Sequence, residues 1–184
     1  MKKFLFLTIA VFYMGTTMNI QAQNKAGKGK TLVVYYSWSG NTRTLAQQIH
    51  KLVGGDIFEV VPVKAYPEDY NKCVTQAKQE IQSGYLPELR DAVKNIEQYD
   101  TVFVGSPNWW STISPPIAAF LSQHDLSGKT VIPFCTHGSG GRAQCFADIA
   151  KRTPKSKQCE GIAVYGSSVN SSQAQVEKWL QKLK

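Results

Sequence analysis

The chain has 184 residues, of which 42% are hydrophobic, and a formal net charge of +8. This length suits one domain, and the apolar content is enough for an ordinary core, so the composition excludes a disordered or low-complexity chain. The lysines and arginines are scattered instead of forming dense blocks with interleaved aromatics, which disfavours a nucleic-acid-binding protein. The positive charge is typical of a solvated surface, although it can also steer an anionic ligand or partner.

The first 22 residues have the pattern of a secretory signal. Two lysines precede an apolar run that ends near Met14, and small and polar residues follow. The run is short for a membrane span, and it contains no cysteine for lipoprotein attachment. We therefore predict an exported, periplasmic protein with a signal peptide at 1–22, a linker at 23–30 and no stable membrane insertion after processing. A retained anchor helix is the alternative. The processed chain would carry a charge of +6, since 19 basic residues remain against 13 acidic ones.

Five apolar runs alternate with helical patterns in the predicted domain, residues 31–184. The predicted strands are 31–36, 56–63, 101–107, 130–136 and 161–166. The predicted helices are 42–52, 68–82, 117–122, 142–151 and 173–183, with a weakly helical piece at 87–98. Continuous apolar strands that alternate with helices indicate an α/β fold, with a parallel sheet covered by helices on both faces.

Polar segments follow three of these strands at the point where each strand ends. They are SWSGNT after the first strand, GSPNWWST after the third and THGSGG after the fourth. Ligands of open parallel sheets bind beyond the carboxyl ends of the strands, so we expect these three loops to form one site. The loop after the second strand offers Tyr66, Pro67 and Tyr70 but no chemically reactive group.

The first segment is suited to holding a phosphate. A helix that begins near Thr42 leaves its first N–H groups free, and its dipole favours an anion. Gly40 permits a close backbone approach, Ser37 and Ser39 offer hydroxyl donors, and Asn41 offers an amide or a helix cap. The alternative is an ordinary helix cap followed by a polar turn.

The second and third segments are suited to a flat ring. Trp109 and Trp110 are adjacent, and two neighbouring tryptophans in a loop cannot easily both point into the core. We therefore expect at least one to stack on a planar ligand, with core packing as the alternative. His137 is a candidate proton donor, a hydrogen-bond partner or an ordinary loop residue.

Two other motifs point to chemistry that the sequence does not support. GKGKT at 27–31 resembles part of a Walker loop, but it precedes the strand and Asn24 stands where the first glycine is needed. Cys135 and Arg142 are one residue too far apart for the phosphatase motif and follow the fourth strand instead of the first. No Gly-x-Ser-x-Gly elbow is present, so a hydrolase that uses Cys135 or a loop serine is disfavoured.

The four cysteines show no Cys-x-x-Cys spacing. An even number in an exported protein permits disulfides, but the predicted positions on two helices and two strands are typical of buried thiols. We therefore expect free thiols at Cys73, Cys135, Cys145 and Cys159.

Taken together, the three loop segments resemble those of flavodoxin-like proteins. YYSWSGNT is similar to the flavodoxin phosphate signature, Thr/Ser-x-Thr/Ser-Gly-x-Thr. GSPNWWSTISPPIAAFL resembles the ring-binding loop and following helix of that family, and IPFCTHGSGG resembles its next loop. The resemblance covers roughly residues 31–183, and it is nearest to the bacterial group in which a Trp-Trp pair follows the third strand.

This resemblance implies a three-layer sandwich in which a five-stranded sheet of order 2-1-3-4-5 holds FMN at the strand ends. The implied phosphate-binding residues are Ser37, Trp38, Ser39, Gly40, Asn41 and Thr42. The implied ring-binding residues are Pro107, Asn108, Trp109 and Trp110. Further implied contacts are Thr136, His137, Gly138, Ser139 and Gly140.

The implied function is electron transfer or a small flavin-dependent reduction of the quinone or NAD(P)H type. Its partner would be a redox protein or a small-molecule electron acceptor. Typical flavodoxins are acidic and cytoplasmic, whereas this chain is basic and has an export signal. The alternative function is therefore an exported, non-redox ligand-binding module on a flavodoxin fold.

Overall fold

Seven strands and five α-helices lie within residues 29–183, the part of the chain that the computed structural model describes. The strands are β1 (Lys30–Tyr35), β2 (Asp56–Glu59), β3 (Tyr99–Trp109), β4 (Thr112–Ile113), β5 (Thr130–His137), β6 (Lys157–Gln158) and β7 (Ile162–Tyr165). The helices are α1 (Asn41–Val53), α2 (Tyr70–Ser83), α3 (Pro115–Gln123), α4 (Cys145–Arg152) and α5 (Gln173–Lys182). The predicted signal peptide and most of the predicted linker lie outside the described residues.

The sheet has the order β2-β1-β3-β5-β6, and β7 also pairs with β5. All of these pairings are parallel, whereas β4 forms a short antiparallel pair with β3. β7 matches the fifth predicted strand, so the predicted α/β fold and its order 2-1-3-4-5 are confirmed, whereas β6, which pairs with the same edge of β5, was not predicted. No helix within the described range is long and apolar enough to cross a membrane.

The two faces of the sheet each bury a separate apolar core. On β1, Leu32 and Val34 point into the core beneath α2, α3 and α4, whereas Val33 and Tyr35 point into the core beneath α1 and α5. This alternation follows from the two-residue side-chain period of a strand. A strand buried on both faces must be apolar at every position, which is the continuous pattern seen in the sequence.

The short strand β6 precedes the fifth predicted strand, and a proline in the neighbouring strand β5 separates β6 from β7. β6 pairs with the start of β5 up to Val131, and β7 pairs with it from Phe134 onward. The gap includes Pro133, which has no N–H group to donate to a ladder. A Cβ at Gly161, in the connection between β6 and β7, would lie 2.4 Å from the Pro133 carbonyl oxygen, so the chain passes very close to β5 there.

Two predictions on the second crossover are wrong. The second strand ends at Glu59, because Pro62 cannot continue a hydrogen-bonded ladder; instead Val63 N–H donates to the Glu88 carbonyl and Arg90 N–H to the Val61 carbonyl. That pairing keeps the start of segment 87–98 extended, so the predicted weak helix is reduced to a single 3₁₀ turn at Ile96–Gln98.

The loop predicted after the third strand is also partly wrong, because β3 continues through it to Trp109. Pro107 is still in register with Thr136 of β5, and Asn108 and Trp109 pair with β4. The tryptophan pair therefore lies at the tip of a hairpin instead of in an irregular loop.

Three of the four cysteines lie on the predicted elements. Cys73 is on α2, Cys135 on β5 and Cys145 on α4, and all three are buried. Cys159 is partly exposed between β6 and β7, so its predicted strand position is wrong. All four are free thiols, as expected from the sequence.

Candidate functional site

A cavity of about 590 Å³ lies at the carboxyl ends of the sheet strands. All three predicted loops contribute to its wall. The predicted residues that line it are Trp38, Ser39, Asn41, Pro107, Asn108, Trp109, Trp110, Thr136, His137 and Gly138. The predicted residues that do not line it are Ser37, Gly40, Thr42, Ser139 and Gly140. A larger groove of about 870 Å³, called the outer groove below, follows another face of α2, but it is lined mostly by polar side chains and contains none of the predicted site residues.

The segment from Ser37 to Thr42 forms a turn that leads directly into α1. The helix begins one residue earlier than predicted, at Asn41, and Gly40 is its N-cap in the left-handed conformation, with φ of 92°. No side chain caps the helix, so Asn41 is not the cap and the first N–H groups have no side-chain partner. The helix start therefore retains the free donors that an anion needs.

Two hydroxyl groups of this segment are buried in different ways. The Ser37 hydroxyl is buried without any hydrogen-bond partner. The Thr42 hydroxyl lies 2.7 Å from that of Thr136, and this buried bond ties the start of α1 to the end of β5. Because an unpartnered buried hydroxyl is costly, Ser37 is a vacant donor suited to a ligand, whereas Thr42 mainly joins two of the loops.

Arg43, in the first turn of α1, is already paired with a carboxylate. The Arg43 guanidinium donates to both carboxylate oxygens of Glu59, at 3.1 and 2.6 Å. Tyr35 donates to the same carboxylate, and burial together with that negative charge raises the pKa of Tyr35 to about 12. An anion at the start of α1 would therefore be held by N–H and hydroxyl groups instead of by an arginine side chain.

Trp109 belongs mainly to the core beneath the cavity. Its ring makes edge contacts with Tyr36 and Tyr66, at centroid distances of 5.6 and 4.9 Å. The Tyr66 hydroxyl donates to Glu80, and burial together with this bond raises the pKa of Tyr66. The aromatic cluster therefore stays neutral and fixes one wall of the cavity.

Trp110 is the more exposed of the two tryptophans, with 49% of its surface accessible. Trp110 and Ser111 form the two-residue turn of the β3–β4 hairpin, with φ of 50° and 70°. Such turns require positive φ at both central residues and usually contain glycine or asparagine. The indole N–H donates to the Val74 carbonyl of α2 at 3.0 Å, which holds the strained turn against that helix.

The third loop places His137 in the cavity wall. Its Nδ1 atom is buried without a hydrogen-bond partner, and its ring makes an edge contact with Tyr165 at 5.6 Å. Asn108 donates to the Gly141 carbonyl at 2.8 Å, which links this loop to the tryptophan hairpin. The helix predicted from Arg142 begins at Cys145 instead, because Ala143 adopts a left-handed conformation.

Two parts of the wall were not predicted from the sequence. One is a face of α2, and the other is the start of the 3₁₀ helix after β7. The missed lining residues are Tyr70, Cys73, Val74, Ala77, Tyr165, Gly166 and Ser167. Tyr70, Cys73, Val74 and Ala77 are three or four residues apart, a spacing that places them on one face of a helix. This spacing was the signal in the sequence that could have identified them. At Gly166 a Cβ would lie 2.6 Å from Asn41 Nδ2, so this segment packs closely against the side chain at the start of α1.

The cysteines are poorly suited to nucleophilic chemistry. Cys135 is fully buried and does not line the cavity. A hydrogen bond with Cys135 and burial together raise the pKa of Cys145, and burial raises the pKa of Cys73 to about 11. A thiol must be ionised and accessible to attack a substrate, so the hydrolase alternative has no support here.

The fold has close counterparts among known proteins. The sequence profile of the Flavodoxin family matches residues 30–183. A candidate flavoprotein from Bacteroides uniformis superposes with a TM-score of 0.75 at 30% identity, covering 84% of this chain and 99% of that one. A flavoprotein from Lactobacillus acidophilus, solved in complex with FMN, gives a TM-score of 0.63 at 28% identity, covering 78% of this chain and 97% of that one.

A curated relative is described as an NAD(P)H dehydrogenase (quinone), from Cupriavidus metallidurans. It is 31% identical over 134 residues, which are 66% of this chain and 64% of the relative. The chain thus spans somewhat less than two thirds of that relative's length. With the family match extending over nearly all of the described residues, the chain belongs to the flavodoxin family.

Proposed function

We propose that this protein binds FMN in the cavity at the strand ends and acts as a small flavin-dependent reductase. The observation that carries this proposal is the pair of buried, unpartnered polar atoms, Ser37 Oγ and His137 Nδ1, in two loops that form the site. Buried polar groups normally have partners, so such vacancies fit a polar ligand. The Lactobacillus flavoprotein solved with FMN supports the choice of FMN.

The phosphate would lie at the start of α1. The uncapped N–H groups there, the Ser37 and Ser39 hydroxyls and the Asn41 amide supply donors, while Gly40 leaves the approach free of a side chain. Trp38 positions this segment, since its indole N–H donates to the Pro67 carbonyl at 3.0 Å. Thr42 would act through its bond to Thr136 instead of by direct contact.

The isoalloxazine ring would lie among the aromatic and amide groups of the remaining wall. Pro107, Asn108, Trp109 and Trp110 approach from the hairpin, and Thr136, His137 and Gly138 approach from the end of β5. Ser139 and Gly140 do not line the cavity, so we assign them a role in shaping the loop. FMN supplies the redox chemistry when bound, and the protein's contribution is to hold it, exclude water from one side and control access.

A reductase is favoured over a pure electron carrier because an exposed aromatic side chain, Trp110, borders the cavity, where a small reactant can approach. The curated relative described as an NAD(P)H dehydrogenase (quinone) supports this choice. The test is to load purified protein with FMN and follow NAD(P)H oxidation with a quinone acceptor. Sustained turnover supports the reductase; bound FMN without turnover indicates a carrier with a protein partner.

We further propose that the protein is exported. The support is the pattern of the first 22 residues: two lysines, a short apolar run and small residues before Gln23. Mass spectrometry of the protein purified from its native cells tests this directly. A mature N-terminus near Gln23 and recovery in the periplasmic fraction are expected; an intact N-terminus in the cytosolic fraction would overturn the proposal.

A further inference from the structure

The cavity wall carries no formal charge of its own. None of the residues that line it within 29–183 is an aspartate, glutamate, lysine or arginine. The side chains with titratable groups are His137, Cys73, Tyr70 and Tyr165, and burial raises the pKa of the Cys73 thiol to about 11. Any preference of the site for charged reactants therefore depends on charges just outside the wall.

One such charge lies directly against the wall. The Lys78 ammonium group is 4.7 Å from the ring centroid of Trp110, in a cation–π contact. Lys78 and Val74, whose carbonyl accepts the Trp110 indole N–H, are one helical turn apart on the same face of α2. The hydrogen bond and the cation–π contact therefore hold the half-exposed indole from the same side.

The charge of Lys78 is not compensated by its neighbours. The residues three and four positions away on α2 are Val74, Thr75, Ile81 and Gln82, all uncharged. The only salt bridge among the described residues joins Arg43 and Glu59, so Lys78 takes part in none. The nearest acid along the helix, Glu80, accepts from the Tyr66 hydroxyl and the Gln76 amide.

The backbone at Trp110 adds an independent indication of function. Positive φ at two successive non-glycine residues costs free energy, and such strain is characteristic of ligand clamps. Here it presents a large indole at the cavity mouth with 49% of its surface exposed, instead of burying it. An exposed aromatic ring beside an unpaired cation is a suitable contact for a planar, negatively charged molecule.

We propose that Lys78, together with Trp110, is a specificity site for the second reactant and selects planar molecules that carry an anionic group. This inference rests on the proposed reductase function and names the substrate class of the same cavity. The reactant's ring contacts Trp110 and its anionic group lies near the Lys78 ammonium. Because Lys78 is exposed and its charge is screened by water, removing the charge should weaken the anionic preference by only about fivefold at low salt.

The test compares a neutral naphthoquinone with its sulfonated derivative as acceptors for the FMN-loaded protein. The quantity measured is the ratio of kcat/KM for the anionic and the neutral quinone, in which differences in cofactor loading cancel. Lys78→Gln should lower this ratio about fivefold at low salt, and high salt should lower the wild-type ratio to the same level. Lys78→Arg keeps the charge and the cation–π contact and should restore the ratio.

Lys72→Gln is the matched control, because Lys72 lies on α2 as well but borders the outer groove. The proposal is overturned if Lys78→Gln leaves the ratio unchanged, or if Lys72→Gln lowers it equally, since the latter would indicate a general effect of net charge. A second readout does not depend on turnover: binding of a sulfonated naphthalene, followed by quenching of tryptophan fluorescence, should weaken in Lys78→Gln and not in Lys72→Gln. Absence of turnover with both quinones would refute the reductase, while this binding assay would still decide the role of Lys78.

Discussion

Replacing Gly40 by valine should separate the stability of the fold from its affinity for phosphate. Gly40 has φ of 92°, and a Cβ there would meet no protein atom within 4 Å. The substitution therefore adds a Cβ that meets no clash in the free protein. Its cost in the free energy of unfolding is that of a left-handed residue with a side chain, about 1–2 kcal/mol.

The effect on FMN should be larger. The valine side chain would project from the turn whose uncapped N–H groups are expected to hold the phosphate. Losing one hydrogen bond to a charged group costs about 1.5–3 kcal/mol, which corresponds to roughly a 10- to 100-fold higher Kd. The assay is a titration of the variant with FMN, followed by flavin fluorescence, alongside a urea denaturation of the protein without FMN.

Gly128→Val is the matched control. Gly128 also has a positive φ, of 76°, and a Cβ added there would likewise have no protein atom within 4 Å, but it lies before the start of β5 at the other end of the sheet. It should lose comparable stability and keep the wild-type affinity for FMN. If Gly40→Val binds FMN as tightly as the wild type does, the start of α1 is not the phosphate site.

Three further changes test the packing and the site. Trp109→Ala should lower the free energy of unfolding by about 2–4 kcal/mol, because its ring packs in the aromatic cluster. Trp110→Ala should lower it by about 1 kcal/mol or less, because that ring is half exposed. Thermal denaturation of the two variants measures this difference. Gly105→Ala should destabilise the fold by about 1–3 kcal/mol in urea titrations, because a Cβ would lie 2.1 Å from the Phe134 ring; unchanged stability would contradict the tight packing of β3 on β5. Burial raises the pKa of Cys73 from 9.0 to about 11, so the contribution of the neutral thiol to stability is complete below pH 9 and is lost as the pH rises towards 11. Cys73→Ala should therefore lessen the loss of stability at alkaline pH. If the variant and the wild type show the same dependence of stability on pH, ionisation of Cys73 is not the cause of that loss.

The sheet was predictable because its signal is carried by single strands. The run from Leu32 to Tyr35 is apolar at every position, which requires burial on both faces, and five such runs between helices leave few topologies. The additional strand β6 and its separation from β7 were harder to predict. The separation depends on Pro133 in a neighbouring strand, and pairing partners are not visible in the segment itself.

The cavity was predictable only where it follows the strand ends. Three polar segments identified ten of its lining residues, since the carboxyl ends of parallel strands share one edge of the sheet. The wall formed by α2 depends on how that helix rotates on the sheet, and Cys73 and Ala77 resemble ordinary core residues in sequence. The roles of the two tryptophans depend on the hairpin turn at Trp110 and Ser111, which lacks the glycine that usually marks such turns.

The measurement that tests the central claim most directly is the affinity of the purified protein for FMN compared with riboflavin, which lacks the phosphate. Isothermal titration or flavin fluorescence gives both values. If the start of α1 holds the phosphate and the tryptophan hairpin borders the ring, FMN should bind saturably at one site per chain. It should bind at least about 100-fold more tightly than riboflavin, because at least two charge-assisted hydrogen bonds are at stake. Equal affinity for the two flavins, or no binding of either, would contradict the account.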